Sequence, residues 1–382
     1  VAERSAPDLS VSDLTPRARA WAQTMRGHGS EEIVRAHADS AARIGVAAPL
    51  GREDREERER LTLRPGATLA EGAGDRAIAE SPDPERTCFE RDRDRIVHST
   101  AFRRLAGKTQ VVVDPLDHQR TRLTHALEVA QVATSIARGV GVNVALADAI
   151  ALGHDCGHGP GGHASEDAFD AFIGEGYDHG PWGADVVLTP LNLCAQTLDG
   201  IRNHSWSRPA PATVEGEIVS WADRIAYCAH DLEDAIHAGI LTTADIPAEV
   251  VEIAGRTRRE QLGTFIRAVI ASVVRHGEVG MDPATASALA TLRTFNYERI
   301  YTRPAAVDQT RRVIDVLHAL VEHYAAHPHI IPDAAPADPG SPEAVREAVR
   351  YVGGMTDRYA FEQAVRLLGW DPARLPQGID RD

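Results

Sequence analysis

An all-α fold with little or no sheet is predicted for this 382-residue chain by three observations. From about residue 88 onward apolar residues recur at helical spacing, and the longest alternating run is KTQVVV at 108–113. Breakers cluster between the periodic stretches, as in PGAT, SPDPER and HPHIIPDAAPADPGSP.

Taken in order, residues 1–85 are rich in charge and alanine, with a dense polar run at GREDREERERL, and read as helices with mobile connections. TRLTHALEVAQVATSIARGV forms a helix whose His125, Val129, Val132 and Ile136 share one face. NVALADAIALGHD is a short amphipathic helix that ends at a glycine loop. GEIVSWADRIAYCAHDLEDAIHAG is a third helix, stopped by Gly239. Further helices are predicted over 257–277, 283–299 and 306–326, then a proline-broken loop and two short helices. No internal repeat or low-complexity tract is present. The organisation reads as three segments: a charged helical segment 1–87, a core 88–240 and a helical part 241–382.

A net charge of −15 argues against broad, sequence-independent nucleic-acid binding, which needs a basic footprint to release counterions. Local contact with a single strand would need a patch, for which Arg91, Arg93, Arg95, Arg103 and Arg104 are the candidates. The N-terminal VAERSAPDLS has no apolar signal core, and no stretch approaches the ~18 apolar residues of a membrane span, so a cytoplasmic location without a membrane partner is expected. The four cysteines lie far apart with no CxxC pair, which fits buried thiols in a reducing compartment.

The stretch LGHDCGHGPGGHASE, residues 152–166, concentrates His154, Asp155, His158, His163 and Glu166 around glycines. Such a run is poor at building a core. On its own, His125 reads as a core histidine bonded to a backbone carbonyl, but an apolar-face imidazole is costly unless paired. Asp223, Tyr227 and Asp231 recur every four residues on the third helix, flanked by His230 and Asp234. A carboxylate row among Ile218, Val219, Ala222, Ile225 and Ala226 needs cations or solvent. His125, His154, Asp155 and Asp223 together make a mixed nitrogen and oxygen set for one borderline or hard divalent ion. Mn2+ or Mg2+ suits it best; Fe, Co, Ni or Zn also fits, whereas a structural zinc would favour cysteines and a closed tetrahedron. The glycines let backbone amides approach an anion. His163 and Glu166, three residues apart, allow the carboxylate to orient the imidazole for acid/base work, with His158 a second candidate.

The stretches RDRDRIVHSTAFRRLAGKTQVV, DHQRTRLTHALEVAQVATSIAR, AIALGHDCGHGPGGHASE, GEIVSWADRIAYCAHDLEDAIHAG, NYERIYTRP and GGMTDRY resemble, in order, the HD-domain phosphohydrolases of the deoxyguanosine triphosphate triphosphohydrolase-like family. The resemblance implies an HD-domain helical bundle with additional N- and C-terminal helices, in which 88–240 is the catalytic core and 241–382 completes the substrate pocket. It implies hydrolysis of (deoxy)nucleoside triphosphates to nucleoside and inorganic triphosphate, by attack of metal-bound water at the α-phosphorus. His125, His154, Asp155 and Asp223 would ligate the metal, and His158, His163 and Glu166 would form the catalytic group. Gln110, Arg122, Arg224, Tyr227 and Asp231 match sugar and phosphate contacts, as do Tyr301 and Arg303 in IYTR. His179, in YDHG, keeps the histidine of a further family motif and is placed with the substrate contacts.

Two departures stand out. The family loop GHPPFGH is here GHGPGGH, with Gly159 and Gly161, so the missing aromatic ring is expected to widen the pocket or loosen the loop. The asparagine of FEHN is lost. A nucleoside triphosphate is the expected partner, and the resemblance implies a homo-oligomer, for which the charged N-terminal segment is either an interface or a solvated arm. Two other functions share these residues: an HD phosphohydrolase acting on another nucleotide (a monophosphate, alarmone or secondary-metabolite nucleotide), or a nucleotide-sensing or single-strand-binding protein with little catalysis.

Overall fold

Helix caps written into the sequence set most of the architecture. The computed structural model describes residues 14–24, 27–29, 31–111, 113 and 119–376. Residues 1–13, which include VAERSAPDLS, lie outside the described residues. The described residues form sixteen α-helices: α1 Pro16–Thr24, α2 Arg52–Thr62, α3 Cys88–His98, α4 Thr100–Arg104, α5 Arg122–Val140, α6 Val144–Gly153, α7 Ala164–Asp170, α8 His179–Trp182, α9 Ala195–Asn203, α10 Val214–His237, α11 Ala248–Ala254, α12 Arg258–His276, α13 Pro283–Asn296, α14 Pro304–Ala326, α15 Pro342–Gly353 and α16 Asp357–Leu368. Sheet is limited to one antiparallel pair, β1 His28–Gly29 with β2 Val34–Arg35. The fold is all-α, as the periodicity predicts.

By its internal contacts the chain divides into residues 1–49 and 50–382. The first unit holds α1 and the small strand pair, and α1 buries none of its residues. In the second unit the polar run, read as helical from sequence, becomes α2, steadied by an Arg52–Glu56 ion pair at 2.6 Å and by Glu59 accepting the Ala70 amide.

α5 ends where Gly141 turns left-handed (φ +86°), and α6 starts on the Asn143 side chain, which accepts from the amides of Ala145 and Leu146. The Thr213 hydroxyl caps α10, and Gly239 (φ +71°) follows its C-terminus. α5, α6 and α10 pack on one another around a core that includes Val129, Val132 and Ile136. Burying each of these side chains contributes about 1.5–3 kcal/mol. A second core joins α7 to α14, α15 and α16 through Phe169, Val313, Val316, Leu317 and Val349. The glycine loop at 154–163 runs from α6 in the first core to α7 in the second, so both cores position it.

KTQVVV forms no strand among its described residues; Val112 lies outside them. Thr109 makes one isolated bridge to Thr121, and its amide donates to the Asp357 carboxylate at 2.9 Å, so a side chain takes the partner a second strand would supply. α13 stops at Asn296, earlier than predicted, because Tyr297–Tyr301 widens into a π-helical turn. No helix among the described residues is long and apolar enough to cross a membrane.

Candidate active site

α5, α6, the glycine loop and α10 bring the four expected metal ligands together from 98 residues of sequence separation. His125 Nε2 lies 3.0 Å from Asp223 Oδ1 and 3.9 Å from Asp155 Oδ2. His154 Nε2 lies 3.4 Å from Asp155 Oδ1 and 3.7 Å from Asp223 Oδ1. Hydrogen bonds fix how the imidazoles face. His154 Nδ1 sits 2.6 Å from the Ala151 carbonyl, which can only accept, so the proton is on Nδ1 and Nε2 is bare. That bare nitrogen is buried with no hydrogen-bond partner, in a residue only 1% exposed, and it faces two carboxylates. An outward Nδ1–H on a carbonyl and an inward lone pair is the usual posture of a metal-ligating histidine. The donor set therefore fits a divalent ion.

Charge balance agrees. Burial works against ionising Asp155, but the Arg122 guanidinium at 2.8 Å and the surrounding imidazoles hold its carboxyl well below the usual carboxylate range. Asp223 is likewise lowered, against burial, by its bond to His125 and by His154. Burial lowers His154, whereas for His125 the bond to Asp223 and two carboxylate charges outweigh burial and raise it.

A second imidazole group adjoins the first. His158 Nε2 is 3.2 Å from Asp155 Oδ1, and its ring stacks on His179 at 3.7 Å. Glu166 does not orient His163 as expected. Its carboxylate accepts from His179 Nδ1 at 2.7 Å and lies 3.3 Å from His158 Nδ1, because the start of α7 turns it toward α8. His179 Nε2 in turn donates to His204 Nε2 at 3.0 Å, since His204 spends its own Nδ1–H on the Ile201 carbonyl. With both ring nitrogens donating, His179 is the charged imidazolium of the group, and Glu166 raises it against the pull of burial. His163 Nδ1 accepts from Arg122 at 3.2 Å, which leaves its proton on Nε2; desolvation at the cavity wall and the Arg122 charge lower it to about 4, although its side chain is exposed.

These groups border a cavity of about 440 Å3, which is the size of a small-molecule site. It is lined by Gln110, Arg122, His125, Asp155, His158, His163, His179, Asp223, Arg224, Tyr227, Asp231, Tyr301 and Arg303, whereas His154 and Glu166 lie behind the wall. Gln110 keeps a buried Oε1 without a hydrogen-bond partner among the described residues. Arg224 lies on the Trp206 ring, 3.3 Å from its centroid, and Trp206 is anchored by donating to the Ser220 carbonyl at 3.0 Å. Arg293 donates to the Tyr227 hydroxyl at 2.9 Å. Asp231 is held by Arg120 on one oxygen and by the Tyr301 hydroxyl on the other.

Four of the residues that build this site were not expected from sequence: His204, Trp206, Arg120 and Arg293. His204 and Trp206 lie together in RNHSW directly after α9, a polar end to an amphipathic helix, which is the only local signal. Gly161 leaves little room for a side chain: Val313 of α14 comes within 2.4 Å of where a β-carbon would stand. The proposed basic patch is largely neutralised: Arg91 and Arg95 share Glu80, and Arg93 pairs with Asp148.

The pattern of the HD domain matches residues 122–228, and that of the phosphohydrolase-associated domain matches residues 279–366. A deoxyguanosinetriphosphate triphosphohydrolase-like protein of Caldanaerobacter subterraneus subsp. tengcongensis is 38% identical over 317 residues, covering 81% of this chain and 93% of that protein. The chain belongs to this HD-domain phosphohydrolase family. Proteins of the same name from Clostridium perfringens and Desulfatibacillum aliphaticivorans are 38% and 37% identical, covering 82% and 83% of this chain and 96% and 97% of theirs. Within the HD-domain match lie all four candidate metal ligands and the five imidazole and carboxylate groups that adjoin them. Tyr301, Arg303 and Arg293 belong to the associated domain, so the cavity is shared between the two matched segments.

Proposed function

We propose that the chain hydrolyses (deoxy)nucleoside triphosphates to nucleoside and inorganic triphosphate, with water attacking the α-phosphorus. One observation carries this reading: a single cavity joins a buried donor cluster with an unsatisfied imidazole nitrogen to the guanidinium groups of Arg122, Arg224, Arg293 and Arg303. His125, His154, Asp155 and Asp223 would hold the divalent ion. Bound there, it would polarise the phosphorus and lower the pKa of an adjacent water.

The remaining steps fall to the protein's own groups. Arg122 is already fixed between Asp155 and His163, so a phosphate oxygen beside it meets a preset donor. Arg224, lying flat on Trp206, keeps N–H edges for the phosphate tail, with Arg293 and Arg303 on the same cavity. Gln110, Tyr227, Asp231 and Tyr301 face the sugar side. The departing 5′-oxygen needs a proton and the attacking water must lose one. Neutral His158 or His163 would take the proton that the water loses, and the one given to the 5′-oxygen would be resupplied by the charged His179 through Glu166, whose carboxylate lies against both His179 and His158. A cytoplasmic homo-oligomer is part of this reading, and light scattering of the purified protein measures the assembly.

The test is product identity. Protein loaded with Mn2+ or Mg2+ is incubated with each NTP and dNTP, and the phosphate product is resolved by ion chromatography. Inorganic triphosphate is expected. Release of orthophosphate or pyrophosphate instead, or turnover only of monophosphates or alarmones, would move the site to another nucleotide. Tight nucleotide binding without turnover would favour a sensing protein.

A further inference from the structure

The glycine loop has few side chains of its own to fix it, and two buried charges from elsewhere hold its backbone. Asp357, the first residue of α16, is 5% exposed. Its Oδ1 accepts the Gly161 amide at 2.8 Å, and its Oδ2 accepts both the amide and the hydroxyl of Thr109. The Lys108 ammonium, 3% exposed, donates to the His158 carbonyl and, at 2.9 Å, to the Gly353 carbonyl of α15. The loop is thus gripped at the carbonyl of His158 and the amide of Gly161, on either side of Pro160. Between these anchors and α7, Gly161 and Gly162 both take left-handed backbone angles (φ +75° and +65°), which side-chain-bearing residues rarely adopt.

Burying a carboxylate and an ammonium is costly unless each is fully hydrogen-bonded, and apolar packing of the same volume is often as stable. A purely structural contact has no need of them here. Their bonds end on the two backbone groups that set where His158 and His163 stand. His158 Nε2 must stay 3.2 Å from Asp155, and His163 Nδ1 3.2 Å from Arg122.

We propose that Asp357 and Lys108 are positioning residues: a polar latch, with Asp357 from the phosphohydrolase-associated segment and Lys108 from the stretch before α5, that holds the glycine loop in register with the donor cluster. The latch makes the C-terminal helices part of the catalytic apparatus, and it stands in for whatever rigidity a bulkier loop would have. Its catalytic consequence rests on the reading of His158 and His163 as proton-transfer groups; the latch itself does not.

Two variants test it in the full-length, metal-loaded protein. Asp357→Asn keeps the volume but turns one acceptor into a donor, so it loses either the Gly161 or the Thr109 arm. Thr109→Val removes a single hydroxyl bond and changes no charge. For Asp357→Asn, kcat on the preferred nucleotide should fall about ten- to a hundredfold, as expected for a misplacement near 1 Å. KM should stay within about threefold and metal content per chain should be unchanged. Amide deuterium exchange in a peptide spanning 157–166 should quicken while that of α5 does not. Thr109→Val should move both readouts the same way by a smaller factor. The proposal is overturned if loop exchange is unchanged in Asp357→Asn, or if exchange quickens equally across the whole protein and activity falls only with the folded fraction. Should Asp357→Asn fail to fold, Thr109→Val decides on the same two readouts. Should the wild-type protein turn over no nucleotide, loop exchange still decides the latch, so its failure and that of the proposed reaction are separable.

Discussion

Two carboxylate clusters draw on the same helix, α10, one around Asp231 and Asp234 and one where Asp223 meets Asp155 of the glycine loop, and they differ in one respect. Around Asp231 and Asp234 every charge is answered: the Arg120 guanidinium reaches Asp234 at 2.7 Å, Glu128 at 2.9 Å and Asp231, whose second oxygen takes the Tyr301 hydroxyl. Around Asp223 and Asp155 the set is left open. Arg122 answers Asp155, but His154 Nε2 and both nitrogens of His158 are buried without a hydrogen-bond partner. A closed cluster shapes a wall, whereas an open one has valence left for a ligand. Composition does not separate the two, since each sets acidic residues beside a guanidinium; the buried imidazole nitrogens left without a hydrogen-bond partner among the described residues do.

The strongest way to break the comparison is to remove a carboxylate from the open set. Asp223→Ala should release the divalent ion and lower turnover at least a thousandfold, read together by metal analysis and product formation. His163→Ala should spare the ion while costing about a hundred- to ten-thousandfold in kcat. Full activity in Asp223→Ala would end the assignment of the open cluster as a metal site. On the closed side, Arg120→Ala leaves three carboxylates without their cation. It should cost about 3–5 kcal/mol in chemical denaturation and leave metal content intact. If Arg120→Ala unfolds no more easily than wild type, the closed cluster is not held by its guanidinium.

The contrast also marks what the sequence makes legible. The boundaries of α5, α6 and α10 are readable because their caps are local: Asn143, Gly141, Thr213 and Gly239 each act within a few residues. The open cluster is readable because His154 and Asp155 are adjacent and His125 and Asp223 lie on strongly periodic helices. Arg120 is not, since its role depends on three carboxylates from two helices, 8 to 114 residues away in sequence. His204 acts through His179, 25 residues earlier, and Asp357 through Gly161, 196 residues earlier. For the same reason the surroundings of Gly161 are not legible in the sequence. The space its missing side chain leaves is filled by Val313, a residue of another core.

Acid should separate the clusters further. His154, His158 and His204 are all lowered, chiefly by burial, His204 to about 3. A histidine lowered in the fold takes up its proton more readily when unfolded, near 6.5. Its contribution to stability is therefore complete above that value and drains as pH falls toward 4. His125 and His179 are raised and act in the opposite sense, stabilising below 6.5 and less so as pH rises through their folded values. Three lowered groups against two raised ones give a net loss on acidification. The unfolding midpoint of metal-free protein should drop between pH 6.5 and 4.5, and bound metal should leave in the same direction as protons compete for its ligands. A midpoint that holds steady or rises over that interval would contradict the tautomers assigned to the open cluster.

The smallest effect belongs to a residue that touches both the closed cluster and the cavity. Tyr301 donates its hydroxyl to Asp231, lines the cavity with its ring, and is buried enough that its phenol stays protonated, raised well above its ordinary value. Tyr301→Phe keeps the ring and deletes the donor. Asp231 remains paired with Arg120, so no carboxylate is left bare, and the loss is that of one hydrogen bond to a charged group, about 1.5–3 kcal/mol at most. Because the ring still packs, stability should change by less than Arg120→Ala changes it, and metal content should not change. What should move is kcat/KM for a deoxynucleoside triphosphate, by about tenfold, since Asp231 is then free to turn away from the sugar side of the cavity. If Tyr301→Phe changes metal content as well, the closed cluster is coupled to the open one through α10, and the two regions are one electrostatic unit rather than a wall and a site.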